Sequence, residues 1–175
     1  GYGGGIRDME DVKRLLAIGV EKFVLNTSAV ENPSLIREAA DHAGSQAVVI
    51  SIDVKKTLFG KYEVFTRAGK KGTGLDPVKF AIGMEKQGAG EIFINSIDRD
   101  GTMQGYDLDL IRRVAESVSI PVVACGGAGN VAHLAEAVKA GASAAAAGSM
   151  FVFQGPLRGV LISYPAQAEL KKMMP

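Results

Sequence analysis

Short apolar runs rich in branched side chains, at Phe23–Leu25, Ala47–Ile52, Glu91–Ile97, Val122–Ala124 and Ala142–Ala147, alternate with stretches whose apolar positions recur at helical spacing. Such runs read as buried strands of a parallel sheet. Asp8 stands where it can cap a helix carrying Met9, Val12, Leu15 and Leu16 on one face, and Gly19 stops that helix. Further helices are expected near 33–42, 77–87, 107–117 and 131–140. Pro33 and Pro77 fall where a first helical turn tolerates proline, and Gly44, Gly88 and Gly141 lead into the next strand. Alternation this regular implies an α/β fold built on a parallel sheet.

The pattern repeats at long range. When Gly3-Gly4-Gly5-Ile6 is laid over Cys125-Gly126-Gly127-Ala128 and read onward without a gap, Leu16 falls on Val138, Gly19 on Gly141, Asn26 on Gly148 and Thr27 on Ser149. Each copy runs glycine-rich strand end, helix, strand, small residue, hydroxyl. Any two βα units share some of this, but the joint match of glycines, helix stop and hydroxyl points to an internal half-barrel duplication.

Glycine-rich turns at strand ends leave backbone N–H groups uncovered, and a following helix N-terminus adds partial positive charge, a combination that suits phosphate. Gly5 with Asn26 and Thr27 makes one candidate cup, and Gly127 with Gly148 and Ser149 the other. Two cups imply a ligand with a phosphate at each end, although such glycines also serve close helix–strand packing. Between the cups come Ser51-Ile52-Asp53 and Ser96-Ile97-Asp98-Arg99-Asp100-Gly101-Thr102. A carboxylate after an apolar strand can act as general acid or base, so Asp53 is the candidate catalytic group, with a segment-capping aspartate as the alternative. Asp98 and Asp100 resemble turn formers, and Asp100 with Gly101 is assigned to binding.

Composition narrows the partners. Hydrophobic residues make up 47% of the chain and charged residues 22%, and the net charge is +1. The basic pairs Lys55-Lys56 and Lys70-Lys71 are too few for a nucleic-acid footprint, and no apolar stretch suits a membrane span. Cys125, the single cysteine, allows no internal disulfide, which with the absence of a signal-like opening suggests the cytoplasm. Its apolar flanks and lack of a neighbouring base make it a structural thiol. No metal-ligand spacing and no dinucleotide fingerprint occur, so neither a metal nor a nicotinamide cofactor is expected.

The strings Gly3-Gly4-Gly5-Ile6-Arg7, Leu25 to Pro33, Ile52-Asp53, Val64-Phe65-Thr66 with Gly69-Lys70-Lys71, Ser96 to Thr102 and Gly126-Gly127-Ala128-Gly129 resemble the cyclase subunit of imidazole glycerol phosphate synthase up to about Phe153. The resemblance implies a single (β/α)8 TIM-barrel domain, working with a glutaminase subunit whose ammonia passes through the barrel. It implies a substrate with two terminal phosphates, a ribulosyl formimino carboxamide ribotide. The products would be imidazole glycerol phosphate and an aminoimidazole carboxamide ribotide. The family's general acid maps to Asp53, and its phosphate contacts to Gly5, Asn26 and Thr27 at one end and Asp100, Gly101, Gly127, Gly148 and Ser149 at the other.

Three departures accompany the likeness. The family's other catalytic aspartate lies on the first barrel strand and has no counterpart here, so a barrel lacking roughly its first quarter is expected, five strands and a stub. Asn95, a candidate substrate-binding residue, stands where the cyclase usually has threonine, and Cys125 where it has serine. The tail, Phe151 to Pro156 and Leu161 to Pro165, is closer to paralogues that act with an amidotransferase to install amidino groups on surface-polysaccharide sugars. A third reading is a non-catalytic half-barrel that binds phosphate only.

Overall fold

Branched apolar residues at the strand positions and capped amphipathic stretches between them set up the alternation seen in the computed structural model, which describes residues 1–173. In chain order the elements are β1 (Tyr2–Gly3), α1 (Met9–Ala17), β2 (Phe23–Leu25), α2 (Thr27–Glu31), α3 (Ser34–Ala43), β3 (Val48–Lys56), β4 (Tyr62–Thr66), β5 (Lys71–Gly72) and α4 (Pro77–Gln87). They continue with β6 (Glu91–Ser96), α5 (Leu108–Ala115), β7 (Val122–Cys125), α6 (Val131–Lys139), β8 (Ala144–Ala145), α7 (Ser149–Val152), β9 (Phe153–Gln154), β10 (Gly159–Val160) and α8 (Gln167–Met173).

Six strands pair in parallel in the order in which the chain visits them, β1-β2-β3-β6-β7-β8. A doubly wound sheet reverses direction partway and puts helices on both faces; this one never reverses, which is the order of a barrel wall. Burial agrees. Ile50, Ile52, Val54, Ile92, Ile94, Val122 and Ala124 are buried in one cluster with Val12, Leu35, Ile36, Ala81, Leu110 and Leu134 from the helices. The alternate positions Val24, Ser51, Asp53, Phe93, Asn95, Val123 and Cys125 are only half-buried on the opposite face. Among the described residues, no ladder joins β8 to β1.

The two stretches aligned in the sequence share local features. Asp8 caps α1, accepting from the Glu10 and Asp11 N–H groups, and Asn130 caps α6, accepting from the His133 N–H. Both helices have nine residues, both are followed by a positive-φ glycine (Gly19, 84°; Gly141, 109°), and both lead through a short strand to a single helical turn, α2 or α7.

Several boundaries differ from the expectations. The expected strand at 142–147 keeps regular pairing only at β8, because an alanine run offers little side-chain surface, although Ser143 N–H and Ala146 N–H still donate to Val122 and Ala124 carbonyls. The strand expected to end at Ile52 runs on to Lys56, because β4 pairs antiparallel with its far half, bringing Phe65 opposite Asp53. The hairpin β4–β5 and the single turn α2 were not expected. Period-two burial of Val64 and Thr66 and the turn residue Gly69, at φ 74°, are the signals for the hairpin. No helix among the described residues is long and apolar enough to cross a membrane.

Replacing Ile94, 1% exposed, with alanine should cost about 2–5 kcal/mol in urea unfolding. Asp8→Ala and Asn130→Ala should each cost about 1 kcal/mol, the usual worth of a side-chain N-cap. Equal losses for all three variants would contradict the packing described.

Candidate active site: two anion cups flanking a carboxylate

Every parallel strand ends on the same rim, so the residues following them converge. After β1, Gly4 and Gly5 take φ of 108° and 75°, a backbone region in which a side chain is strained and glycine is not. A Cβ on either would meet nothing, so packing does not account for these glycines. The N–H groups of Gly5 and Thr27 donate to no protein acceptor among the described residues. They border a cavity of about 640 Å³ that is also lined by Arg7, Asn26, Ser51 and Asp53. Asn26 donates from Nδ2 to the Ser51 carbonyl at 2.9 Å, tying β2 to β3. The β4–β5 turn folds over the cavity: the Arg67 N–H donates to Thr27 Oγ1 at 3.2 Å, and the Arg67 guanidinium pairs with Glu31 at 3.0 Å.

The second cup is tighter. Asp100, Gly101, Gly127, Gly148 and Ser149 line a cavity of about 10 Å³, room for roughly one water. Gly127 sits at φ 112°, its carbonyl accepts from Gly105 N–H at 2.8 Å, and a Cβ there would run into the Gly105 carbonyl. Here the glycine is required by close approach as well as by φ. The N–H groups of Gly101, Gly127, Gly148 and Ser149 have no protein acceptor among the described residues. Tyr106 holds the far wall, its hydroxyl donating to the Ala146 carbonyl at 2.8 Å. The helices at the two cups, α2 and α7, are single turns, so what the cups offer an anion is uncovered peptide N–H groups rather than a long helix.

Between the cups, sheet register aligns Asp53, Asn95 and Cys125 on neighbouring strands, all on the half-buried face. Asn95 Nδ2 donates to Asp53 Oδ1 at 3.0 Å, while Asn95 Oδ1 is buried without a partner. Burial raises the Asp53 carboxyl above the ordinary aspartate value; the Asn95 bond lowers it, and the Asp100 charge adds to the rise. Burial likewise pushes the Cys125 thiol up to about 11, which leaves it protonated and poorly nucleophilic at neutral pH.

The structure therefore brings Gly5, Asn26, Thr27 and Asp53 to one cavity and Asp100, Gly101, Gly127, Gly148 and Ser149 to another, with Asn95 between them. Asp98 stands apart, accepting from Lys56 N–H at 2.8 Å and pinning the loop to β3. Sequence reasoning missed Ser51, the Arg67-Ala68 turn and Arg158, which donates to the Gly101 carbonyl at 2.9 Å from 57 residues away. Arg67, Ala68 and Arg158 share a left-handed backbone, and none is a residue type that announces one. Among the described residues no group of three or more His, Cys, Asp and Glu side chains is arranged to hold a metal ion.

Comparison with known proteins gives one family. Residues 1–157 match the model described as histidine biosynthesis protein. The chain is 50% identical over 156 residues to the imidazole glycerol phosphate synthase subunit HisF of Streptomyces coelicolor, covering 89% of this chain and 62% of that one. It is likewise 50% identical over 156 residues to the Thermobifida fusca subunit of the same name, covering 86% and 61%. It is 48% identical over 165 residues to a Pseudomonas aeruginosa protein provisionally named imidazole glycerol phosphate synthase subunit hisF2, covering 94% and 66%. The chain thus spans roughly three fifths to two thirds of the length of the curated relatives it matches.

The raised Asp53 carboxyl has a consequence for stability. Below the unfolded aspartate value, about 4, both states are protonated and no penalty exists; as pH rises through and above that value, the folded state pays for ionising a half-buried group. Asp53→Asn should therefore unfold at a higher temperature than wild type at pH 7, with the difference shrinking towards pH 3. A gap that is constant with pH would contradict the direction of the shift.

Proposed function

The chain belongs to the histidine biosynthesis protein family, and from that premise we propose that it forms the phosphate-gripping part of a cyclase subunit of imidazole glycerol phosphate synthase type. On this reading the six parallel strands are an arc of a (β/α)8 barrel, assembled by duplication of a half-barrel, and the remaining strands lie in the length of the relatives that this chain does not span. The substrate is the ribulosyl formimino carboxamide ribotide, with one phosphate on the Gly5, Asn26 and Thr27 side and the other on the Asp100, Gly101, Gly127, Gly148 and Ser149 side. The observation that carries the reading is the placement of Asp53 between two sets of uncovered peptide N–H groups.

In the mechanism this supports, the cups hold the two ends of the substrate and bring its reacting centre to the row formed by Asp53 and Asn95. Asp53 acts as the general acid. Burial keeps a larger fraction of it protonated than an exposed aspartate would be, and the Asn95 bond fixes the orientation of the carboxyl group. Ammonia comes from a glutaminase partner along the inner face. Val24, Val49, Phe93 and Val123 lie on that face between Asp53 and the Lys22–Glu91 ion pair at its opposite end, an apolar path that suits a small neutral molecule and not ammonium. The setting we propose is cytoplasmic.

A second reading has its own observation. Asn95 and the β9–β10 tail depart from the histidine-pathway pattern, and both lie at the site, Asn95 on Asp53 and the tail's Arg158 on Gly101. This favours a cyclase-like subunit that serves an amidotransferase acting on surface-polysaccharide sugars. Formation of imidazole glycerol phosphate from the bisphosphate and an ammonium salt by the full-length protein supports the first reading, and failure of that assay together with a neighbouring sugar-modifying gene cluster supports the second. Binding of the bisphosphate without turnover would instead mark a phosphate-binding module.

For the cyclase, Asp53→Asn in the full-length protein should lower turnover with ammonium by about 10²-fold or more, with little change in the dissociation constant for the bisphosphate. Gly127→Val should show the reverse priority, with weakened binding first. Full activity in Asp53→Asn would move the acid role to another residue.

A further inference from the structure

The two cups differ in whether a cation lines them. The first is lined by Arg7 beside the carboxylates of Glu31 and Asp53, but the residue aligned with Arg7 in the second stretch is Gly129, and among the described residues the only charged one lining the second cup is Asp100. Peptide N–H groups facing a carboxylate, with no cation, are a poor site for a phosphate dianion. A cation reaches this cup from outside the repeat. Arg158 lies in the turn of the β9–β10 hairpin at φ 52°, where its N–H donates to the Gly155 carbonyl at 3.1 Å. Its guanidinium lies 4.8 Å from the centre of the Phe153 ring and donates to the Gly101 carbonyl at 2.9 Å. Among the described residues it has no carboxylate partner.

We propose that Arg158 is the phosphate-binding arginine of the second cup, supplied by the tail in place of the one that the second copy lacks. The proposal rests on the two-cup reading and deepens it. In the structure described here, one guanidinium N–H is spent on a neutral carbonyl and the cup has room for about one water. A phosphate arriving at the Gly127 and Ser149 N–H groups offers that same N–H a charged acceptor, and the planar fork can engage two oxygens at once. The exchange of partners opens the cup and seats the hairpin over the anion. Phe153, under the guanidinium, keeps the fork aimed at the rim. It also gives the tail, the part of the chain that departs most from the cyclase pattern, a role in gripping the substrate.

The test is a titration of the full-length protein with inorganic phosphate at constant ionic strength, read by amide NMR separately at Gly127 and Ser149 and at Gly5 and Thr27. Arg158→Met should weaken the response at Gly127 and Ser149 by about tenfold or more, the usual loss when a hydrogen bond to a charged group is removed. The response at Gly5 and Thr27 should not change, and Arg158→Lys should recover only part of the loss. Phosphate binding at Gly127 and Ser149 with undiminished affinity in Arg158→Met would overturn the role of Arg158 and leave the cup standing. No response at those amides in the wild type would overturn the cup and the arginine together.

Discussion

The site depends on uncovered peptide N–H groups held at the rim by paired glycines in the left-handed backbone region after β1 and β7. A side chain at Gly4 or Gly5 would be strained by φ, and one at Gly127 would in addition collide with the Gly105 carbonyl. The sheet and helices supply a rigid frame, and the glycines decide what that frame offers to solvent. Because the two turns follow the first and fifth of the six parallel strands, they face each other across the strands that carry Asp53 and Asn95. The distance between the candidate anion sites and the position of the carboxylate are thus both set by strand order.

Much of this architecture was legible in the chain. Helical spacing with Asp8 before it and Gly19 after it fixed α1, and Pro77 with Gly88 bounded α4 at the expected 77–87. Those signals are local, and local chemistry decides them. What escaped was set by contacts across the fold. The extension of β3 beyond Ile52 requires β4 as a partner, and the shortness of β8 reflects how little an alanine run can bury. The cups were traceable to glycine, asparagine and hydroxyl positions in a repeat, whereas Arg67 and Arg158 reach the site through turns whose positive φ no residue type announces.

Asn95 and Cys125 show how small substitutions enter the chemistry of the site. Each stands on the row with Asp53, and Asn95 reaches it directly. A buried amide that donates to the carboxylate while its own oxygen lacks a partner is an uncomfortable arrangement in a finished core. On the proposed reading of this rim as a substrate site, it marks a place where geometry serves the ligand rather than stability. The same tension appears at Asp53, whose burial costs stability at neutral pH and raises the protonated fraction that a general acid needs.

The most direct measurement is a crystal structure of the full-length protein with the intact bisphosphate substrate. The two-cup account expects one phosphate on the amides of Gly5 and Thr27, the other on those of Gly127 and Ser149, and the reacting centre within hydrogen-bonding reach of Asp53. Both phosphates at one end of the rim, or a substrate bound away from Asp53, would contradict it.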